Sequence, residues 1–213
     1  IATGAPTPGQ ITEGVYANLL GTTEHRIIGR ERKESKVNWT ATIEHDFDFD
    51  VMGYATVSTG TKGGGFDARF LRANNSPFFE YEEESAMAYE IGLKSKFFNN
   101  RVRANLALFW MDIDDFQVSI FDGATAFLVD NAAKVRSRGV ELDMTWAATK
   151  ELTVNLAGSY LDAKYRDFPN APCWAATATY NPGNCQLVGT PNAYRDASGE
   201  RLQFAPEFSG NLG

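Results

Sequence analysis

Two segments, residues 86–110 and 139–160, alternate apolar and polar side chains with a period of two. In each segment the alternation runs for about ten residues, crosses a short turn and resumes. This period predicts β-strands with one apolar and one polar face. Strands of this length favour a transmembrane β-barrel, because a tilted strand needs about 9–11 residues to cross a bilayer, whereas soluble strands average about 5–6.

The alternation also assigns side chains to two faces. The face predicted to meet lipid or the membrane interface carries Trp110, Val140, Leu142, Trp146, Leu156 and Tyr160. Aromatic residues at strand ends are typical of the two girdles that flank a membrane-spanning band. The face predicted to line the barrel lumen carries Glu90, Lys94, Arg103, Glu141 and Asp143. These charges form a network in the lumen or are solvated wall charges, and the sequence leaves both open.

Composition narrows the alternatives. Mean hydropathy is −0.31, and no run of eighteen apolar residues occurs, so the sequence excludes a transmembrane helix. The net charge of −7 argues against a nucleic-acid partner, because no face concentrates Lys and Arg. A soluble β-sandwich also alternates with this period and remains the main structural rival.

The predicted organisation is one section of a single β-barrel domain over residues 1–213. Residues 1–32 form a poorly defined loop or strand, and residues 35–213 carry about seven or eight barrel strands. Long loops are predicted near 63–85, 122–134 and 166–201, with short turns between them, as in barrels that sort their loops by side. The chain opens without Met and stops inside a strand-like alternation, so we expect a segment of a longer protein.

Cys173 and Cys185 are the two cysteines of the chain, and both lie in a loop-like stretch. An even number of nearby cysteines is compatible with a disulfide in an oxidising compartment. Closing such a loop stabilises by about 3 kcal/mol in the chain-entropy model. Two free thiols are the alternative.

Four strings resemble the barrel of TonB-dependent outer-membrane receptors. They are "STGTKGGGF", "YEIGLKSKFFNNRVRANLALFWMDIDDFQVSIF", "NAAKVRSRGVELDMTW" and "LAGSYLDAKYRDF…LQFAPEFSGNLG". The resemblance covers roughly three-quarters of the chain, from about Val51 onward. These are framework strings of the barrel, so they specify the family and leave the ligand open.

The resemblance implies a 22-stranded antiparallel barrel in the outer membrane of a Gram-negative bacterium, plugged by an N-terminal domain. It implies TonB as a partner of the parent protein and a scarce solute, such as an iron–siderophore complex or another metal chelate, as the ligand. The strings contain no TonB box, plug or terminal barrel aromatic. We therefore expect transport to belong to the parent protein.

Other candidate sites carry weaker signals. The acidic runs at 80–84 and 112–115 contain carboxylates but lack the spacing of a Ca²⁺ loop, and His25 and His45 lack partners at zinc spacing. No Ser/His/Asp or Cys/His constellation is evident. We expect no catalytic residue, metal site or cofactor, and therefore no enzyme.

Arg136 and Arg138 precede the second strand pair and share the register of Val140 on the lipid-facing side. They either contact anionic lipopolysaccharide or are ordinary interfacial charges. The function predicted for the whole is outer-membrane uptake of a scarce solute. A structural or adhesive barrel, or a soluble binding sandwich, are the alternatives.

Overall fold

The computed structural model describes residues 15–17, 24–26, 31–47, 50–67, 80–121, 127–173, 185–186 and 194–213. Every regular element within those ranges is a β-strand, and none of them is a helix with the length and hydropathy needed to cross a membrane. The strands are β1 (Val15–Ala17), β2 (Glu24–Arg26), β3 (Thr40–Phe47), β4 (Val51–Lys62), β5 (Gly65–Phe66), β6 (Glu80–Tyr81), β7 (Glu84–Phe97), β8 (Val102–Phe121), β9 (Phe127–Ala147), β10 (Thr153–Asp167), β11 (Ala171–Pro172), β12 (Tyr194–Arg195) and β13 (Phe208–Leu212).

Seven strands form one antiparallel sheet in the order β13-β10-β9-β8-β7-β4-β3. The four short strands omitted from this order, β5, β6, β11 and β12, pair among themselves within the connections. Long strands therefore pair with the next long strand along the chain, which is the up-and-down topology of membrane barrels. The predicted all-β antiparallel fold of about seven or eight strands is confirmed.

The connections differ at the two ends of the sheet. Short turns join β3 to β4, β7 to β8 and β9 to β10 at one end, here the turn end; longer connections leave the other, the loop end. The β7–β8 turn bends through positive φ at Phe98, Asn99 and Asn100, a conformation that Asn tolerates better than most residues. In the β9–β10 turn, the Thr149 hydroxyl accepts hydrogen bonds from the backbone N–H groups of Glu151 and Leu152.

The predicted loop near 122–134 is wrong over most of its length. β8 continues to Phe121, β9 begins at Phe127, and the two remain paired up to Phe121↔Phe127. The ladder survives because a β-bulge between Ile113 and Gln117 absorbs the change of register, and a bulge leaves the backbone pairing beyond it intact. The broken side-chain alternation at this bulge is what suggested a loop.

The other predicted boundaries fall partly outside the described residues. In the segment 1–32, the described part pairs β1 with β2. Residues 68–79 of the loop near 63–85, and residues 174–184 and 187–193 of the loop near 166–201, lie outside the described residues. The last strand was expected from about Gln203, but Gln203 and Phe204 form a turn and β13 begins at Phe208.

The register aligns apolar side chains into rows across the sheet. One row runs Leu93↔Leu106↔Leu142↔Gly158, and the next runs Ile91↔Leu108↔Val140↔Tyr160. These rows are uncovered: Ile91 is 55% exposed and Leu142 is 40% exposed. In a water-soluble sheet such a face would be covered.

The buried core lies at the loop end instead. Val135 is 1% exposed and Phe168 is 4% exposed. Ala133, Ala171 and Ala197 complete this cluster, with Ile113 and Tyr165 packed beside it. The connection after β10 thus folds back onto the long extensions of β8 and β9.

Candidate functional site

The polar face of the sheet gathers the residues that the sequence predicted to line a lumen. Lys94 pairs with Asn105, which pairs with Asp143, so the three side chains share one row. Glu141 lies one row nearer the loop end and Arg103 one row nearer the turn end. We name this surface the polar face; the opposite surface, which carries Leu106 and Leu142, is the apolar face.

Tyr54 is a member of the polar face that sequence reasoning did not single out. Its hydroxyl donates a 2.6 Å hydrogen bond to the Glu90 carboxylate, and the Lys94 ammonium lies 5.0 Å from the centre of its ring. Gly92 lies beneath the ring, where a Cβ atom would overlap it. The signal was available, because Tyr54 alternates with Val51, Ala55 and Val57 of the apolar face.

These side chains line an open cavity of about 530 Å³ on the sheet. Its polar lining consists of Tyr54, Lys94, Asn105, Glu141, Asp143, Ser159, Ser209 and Asn211. Both charges and neutral hydrogen-bonding groups are present, and the cavity spans β4 to β13. Such a wall can hold water or a polar solute through many weak contacts.

The apolar face forms a band that aromatic residues border at both ends. Phe97 and Trp146 stand at the turn end, and Tyr89 and Trp110 at the loop end. The nine residues from Val102 to Trp110 span about 27 Å of strand at roughly 3.4 Å per residue. An apolar band between two aromatic girdles is the outer surface expected of a transmembrane barrel. The predicted lipid-facing residues Val140, Leu142, Leu156 and Tyr160 all lie in this band.

Charge replaces apolar side chains on the same face directly above the band. Arg138 pairs in register with both Trp110 and Asp162, and Arg136 pairs with Asp112. Asp112, Arg136, Arg138, Asp162 and Lys164 form what we name the charged cluster. Sequence reasoning placed the two arginines on this face but did not link them to Trp110 or to the two aspartates.

The cysteine connection is tied back on itself at the loop end. Cys173 and Cys185 form a disulfide with Cα atoms 6.0 Å apart. The Ala197 N–H donates to the Phe168 carbonyl, and the Phe168 N–H donates to the Ser198 hydroxyl. Together with the pairing of β11 and β12, these contacts hold the connection over the buried core described above.

A second group of charges lies at the loop end near β3. Arg32 forms ion pairs with Glu34, Glu80 and Glu82. Its hydrogen bonds to Glu82 and Glu34 raise the pKa of Arg32, and the same hydrogen bond holds the pKa of Glu82 below its ordinary value. We name these four residues the Arg32 cluster.

The acidic runs considered above serve local contacts in the structure. Glu80 and Glu82 belong to the Arg32 cluster, and Asp112 accepts from Arg136. Across the described residues, no group of three or more His, Cys, Asp or Glu side chains has an arrangement that could hold a metal ion.

The family profile described as "TonB dependent receptor-like, beta-barrel" matches residues 14–213. The chain belongs to the TonB-dependent receptor β-barrel family. Its sheet therefore represents barrel wall, and the resemblance drawn from the framework strings is confirmed.

Solved structures of TonB-dependent receptors share this fold. The ferric yersiniabactin uptake receptor of Yersinia pestis is 17% identical, with a TM-score of 0.54 over 81% of this chain and 22% of its own. A siderophore receptor of Acinetobacter baumannii is 18% identical, with a TM-score of 0.55 over 82% and 23%. The ferric-catecholate import receptor of E. coli K12 is 17% identical, with a TM-score of 0.57 over 98% and 26%. The chain thus spans about a quarter of the length of these receptors.

Proposed function

We propose that this chain is a wall section of an outer-membrane receptor that imports a scarce solute by a TonB-dependent route, with an iron–siderophore complex as the solute class. The observation that carries the proposal is the match of the TonB-dependent receptor barrel profile to nearly the whole chain. The solute class draws on the three solved receptors, whose descriptions name siderophores or ferric chelates. TonB would act on the parent protein.

The two faces of the sheet support this assignment. In the proposed receptor the apolar face meets lipid and the polar face lines the lumen. A polar lumen beside an apolar outer band is what a barrel that passes hydrophilic solutes requires. Glu141 and Asp143, with Lys94 and Asn105 beside them, would then form part of the wall along which the solute or an inserted domain moves.

The alternatives predict different surfaces. A soluble sandwich would pack the apolar face against a second large sheet, yet Leu93 is 46% exposed and Leu108 is 43% exposed. The described residues contain one seven-stranded sheet and three two-stranded ones. A structural or adhesive barrel shares the wall but needs neither TonB nor a solute.

Uptake by the parent protein separates transport from a purely structural barrel. The assay would follow ⁵⁵Fe-labelled catecholate and hydroxamate siderophores in a Gram-negative host with the parent gene present or deleted, and with TonB intact or disrupted. We expect at least one probe to enter only when both are present. Uptake of neither probe above the deletion strain, or uptake indifferent to TonB, contradicts the proposal.

A matched pair of variants links transport to the polar face. Asp143→Lys reverses a charge in the centre of this face, whereas Glu151→Lys makes the same reversal in the exposed β9–β10 turn. We expect the first to lower uptake at least threefold at equal surface expression and the second to leave it unchanged. Equal effects of the two variants would mean that the polar face does not line the path.

A further inference from the structure

The chemical character of the two faces exchanges at one level of the sheet. Below the row of Trp110, one face is apolar and the other polar. Above it, the apolar face continues into the charged cluster, while the opposite face turns apolar at Ile113 and Val135, where the cysteine connection covers it. This exchange places a group of charges directly beside the end of the apolar band.

Five side chains of the charged cluster are joined by close contacts. Arg136 donates to both oxygens of Asp112, from Nε at 2.7 Å and from Nη2 at 3.0 Å. Arg138 donates to Oδ2 of Asp162 from Nε at 3.1 Å and from Nη2 at 2.9 Å. The Lys164 ammonium lies 2.8 Å from the other oxygen of Asp162. The cations are therefore held in fixed positions.

Trp110 supports both guanidinium groups. The Arg136 guanidinium carbon lies 4.2 Å from the centre of the indole ring and that of Arg138 lies 5.2 Å from it. The indole N–H donates to Asp112 at 3.0 Å. Cation–π contacts of this kind orient a guanidinium while leaving its outer N–H groups free to donate.

The cluster retains donors and positive charge beyond its internal pairs. Within the described residues, the Nη1 atoms of Arg136 and Arg138 take part in no hydrogen bond, although both guanidinium groups have other donors engaged. The side chains of Arg138 and Lys164 are 49% and 44% exposed. Three cations face two carboxylates, so the group is net positive in a chain whose net charge is −7.

We propose that the charged cluster binds a phosphate of an anionic lipid headgroup, that of lipopolysaccharide in the outer leaflet. The proposal rests on the outer-membrane placement under the proposed function, because that placement puts the loop end at the outer surface. The apolar band ends at Trp110, so the cluster lies at headgroup level. Guanidinium groups bind phosphate through paired N–H donors, and an acyl chain would extend along the apolar rows below.

Binding of defined lipids by the purified full-length receptor tests this site. The probes are phosphorylated lipid A and its dephosphorylated form, measured by native mass spectrometry in detergent. The variant R136Q/R138Q removes two cations of the cluster, and the matched control R103Q/K96Q removes two from the polar face near the turn end. We expect at least a tenfold loss of phosphorylated lipid A in the first variant and no loss in the control.

Three results would overturn the proposal: equal binding by wild type and R136Q/R138Q, equal binding of the two lipid forms, or displacement of lipid A by millimolar inorganic phosphate, which would mark a site for free phosphate. If the double variant does not fold, K164Q tests the same site, with an expected loss of at least threefold. Siderophore uptake is measured separately on the same variants. Lost lipid binding with normal uptake separates this site from transport, and absent uptake with normal lipid binding refutes the transport proposal alone.

Discussion

The Tyr54 hydroxyl donates a 2.6 Å hydrogen bond to the Glu90 carboxylate across the neighbouring strands β4 and β7. The ring crosses Gly92, the direct partner of Tyr54 in the ladder, to reach Glu90 on the diagonal. An aromatic ring over a cross-strand glycine shields backbone that has no side chain of its own. The contact thereby joins packing and hydrogen bonding on the polar face.

Replacing Gly92 tests this contact. A Cβ at position 92 would overlap the Tyr54 ring, so Gly92→Val should displace the ring and break its hydrogen bond to Glu90. We expect a loss of about 1–3 kcal/mol in the free energy of unfolding of the full-length barrel, the usual range for overpacking. Urea unfolding in detergent or lipid measures it.

Gly60→Val is the matched control, because it lies on the same strand and a Cβ there has no heavy atom within 4 Å. We expect it to be neutral within about 0.5 kcal/mol. Tyr54→Phe should lose about 1 kcal/mol, since it removes only the hydrogen bond from a partly exposed site. Similar losses at Gly60 and Gly92 would show that the ring contact is unimportant.

The Arg32 cluster should weaken in acid. The hydrogen bond from Arg32 lowers the pKa of Glu82 from its ordinary value of 4.5. A lowered folded-state pKa means that the detached segment takes up the proton first, so the contribution to stability is present above pH 4.5 and is lost as pH falls through the folded-state value. Hydrogen exchange of residues 31–39, corrected for its intrinsic pH dependence, should rise below pH 4.5.

Glu82→Gln should raise this exchange already at neutral pH and flatten its rise in acid. Glu31→Gln is the control, because Glu31 pairs with the exposed Lys33 outside the cluster. Exchange that rises equally in wild type and Glu82→Gln would assign the acid response to other groups.

The disulfide should protect the cysteine connection locally. Cys173→Ser with Cys185→Ser removes the cross-link of a connection whose base is the core around Val135 and Phe168. We expect faster hydrogen exchange and faster proteolysis between residues 171 and 197, because the open connection regains chain entropy. Exchange in β8 and β9 below Trp110 should stay unchanged. Uniform destabilisation of the whole sheet would contradict a local role.

The isolated 213-residue chain should not insert into a bilayer as a monomer. In the described sheet, β3 and β13 pair on one side only, and unpaired backbone groups are costly in lipid. We expect aggregation after refolding, read by size-exclusion chromatography and light scattering. A monodisperse, cooperatively folded monomer in plain buffer would contradict both this prediction and the membrane assignment.

Alternation in the sequence was sufficient to predict the long strands and their two faces. Val140, Leu142 and Trp146 lie on one face and Glu141 and Asp143 on the other, because a period of two is imposed by the strand backbone itself. The short turns followed from the same pattern, since each interrupts it for a few residues. These features depend on neighbours along the chain.

Features that depend on distant residues were missed. Arg32 meets Glu80 and Glu82 across about fifty positions of sequence, and no local pattern links them. The bulge at Ile113–Gln117 hid the extension of β8 and β9, because one shift of register reverses which side chains share a face. The exchange of character above Trp110 arises only when the cysteine connection folds back.

The orientation of the two faces is the central claim, and lipid-phase quenching tests it most directly. Single cysteines in the full-length receptor would carry a fluorophore at Leu106, Leu142 and Val154 of the apolar face or at Asn105, Asp143 and Asn155 of the polar face, with a lipid-phase quencher in the bilayer. The account predicts strong quenching of the first set alone. Equal, weak quenching of both sets would mean that neither face meets lipid and would contradict the assignment as barrel wall.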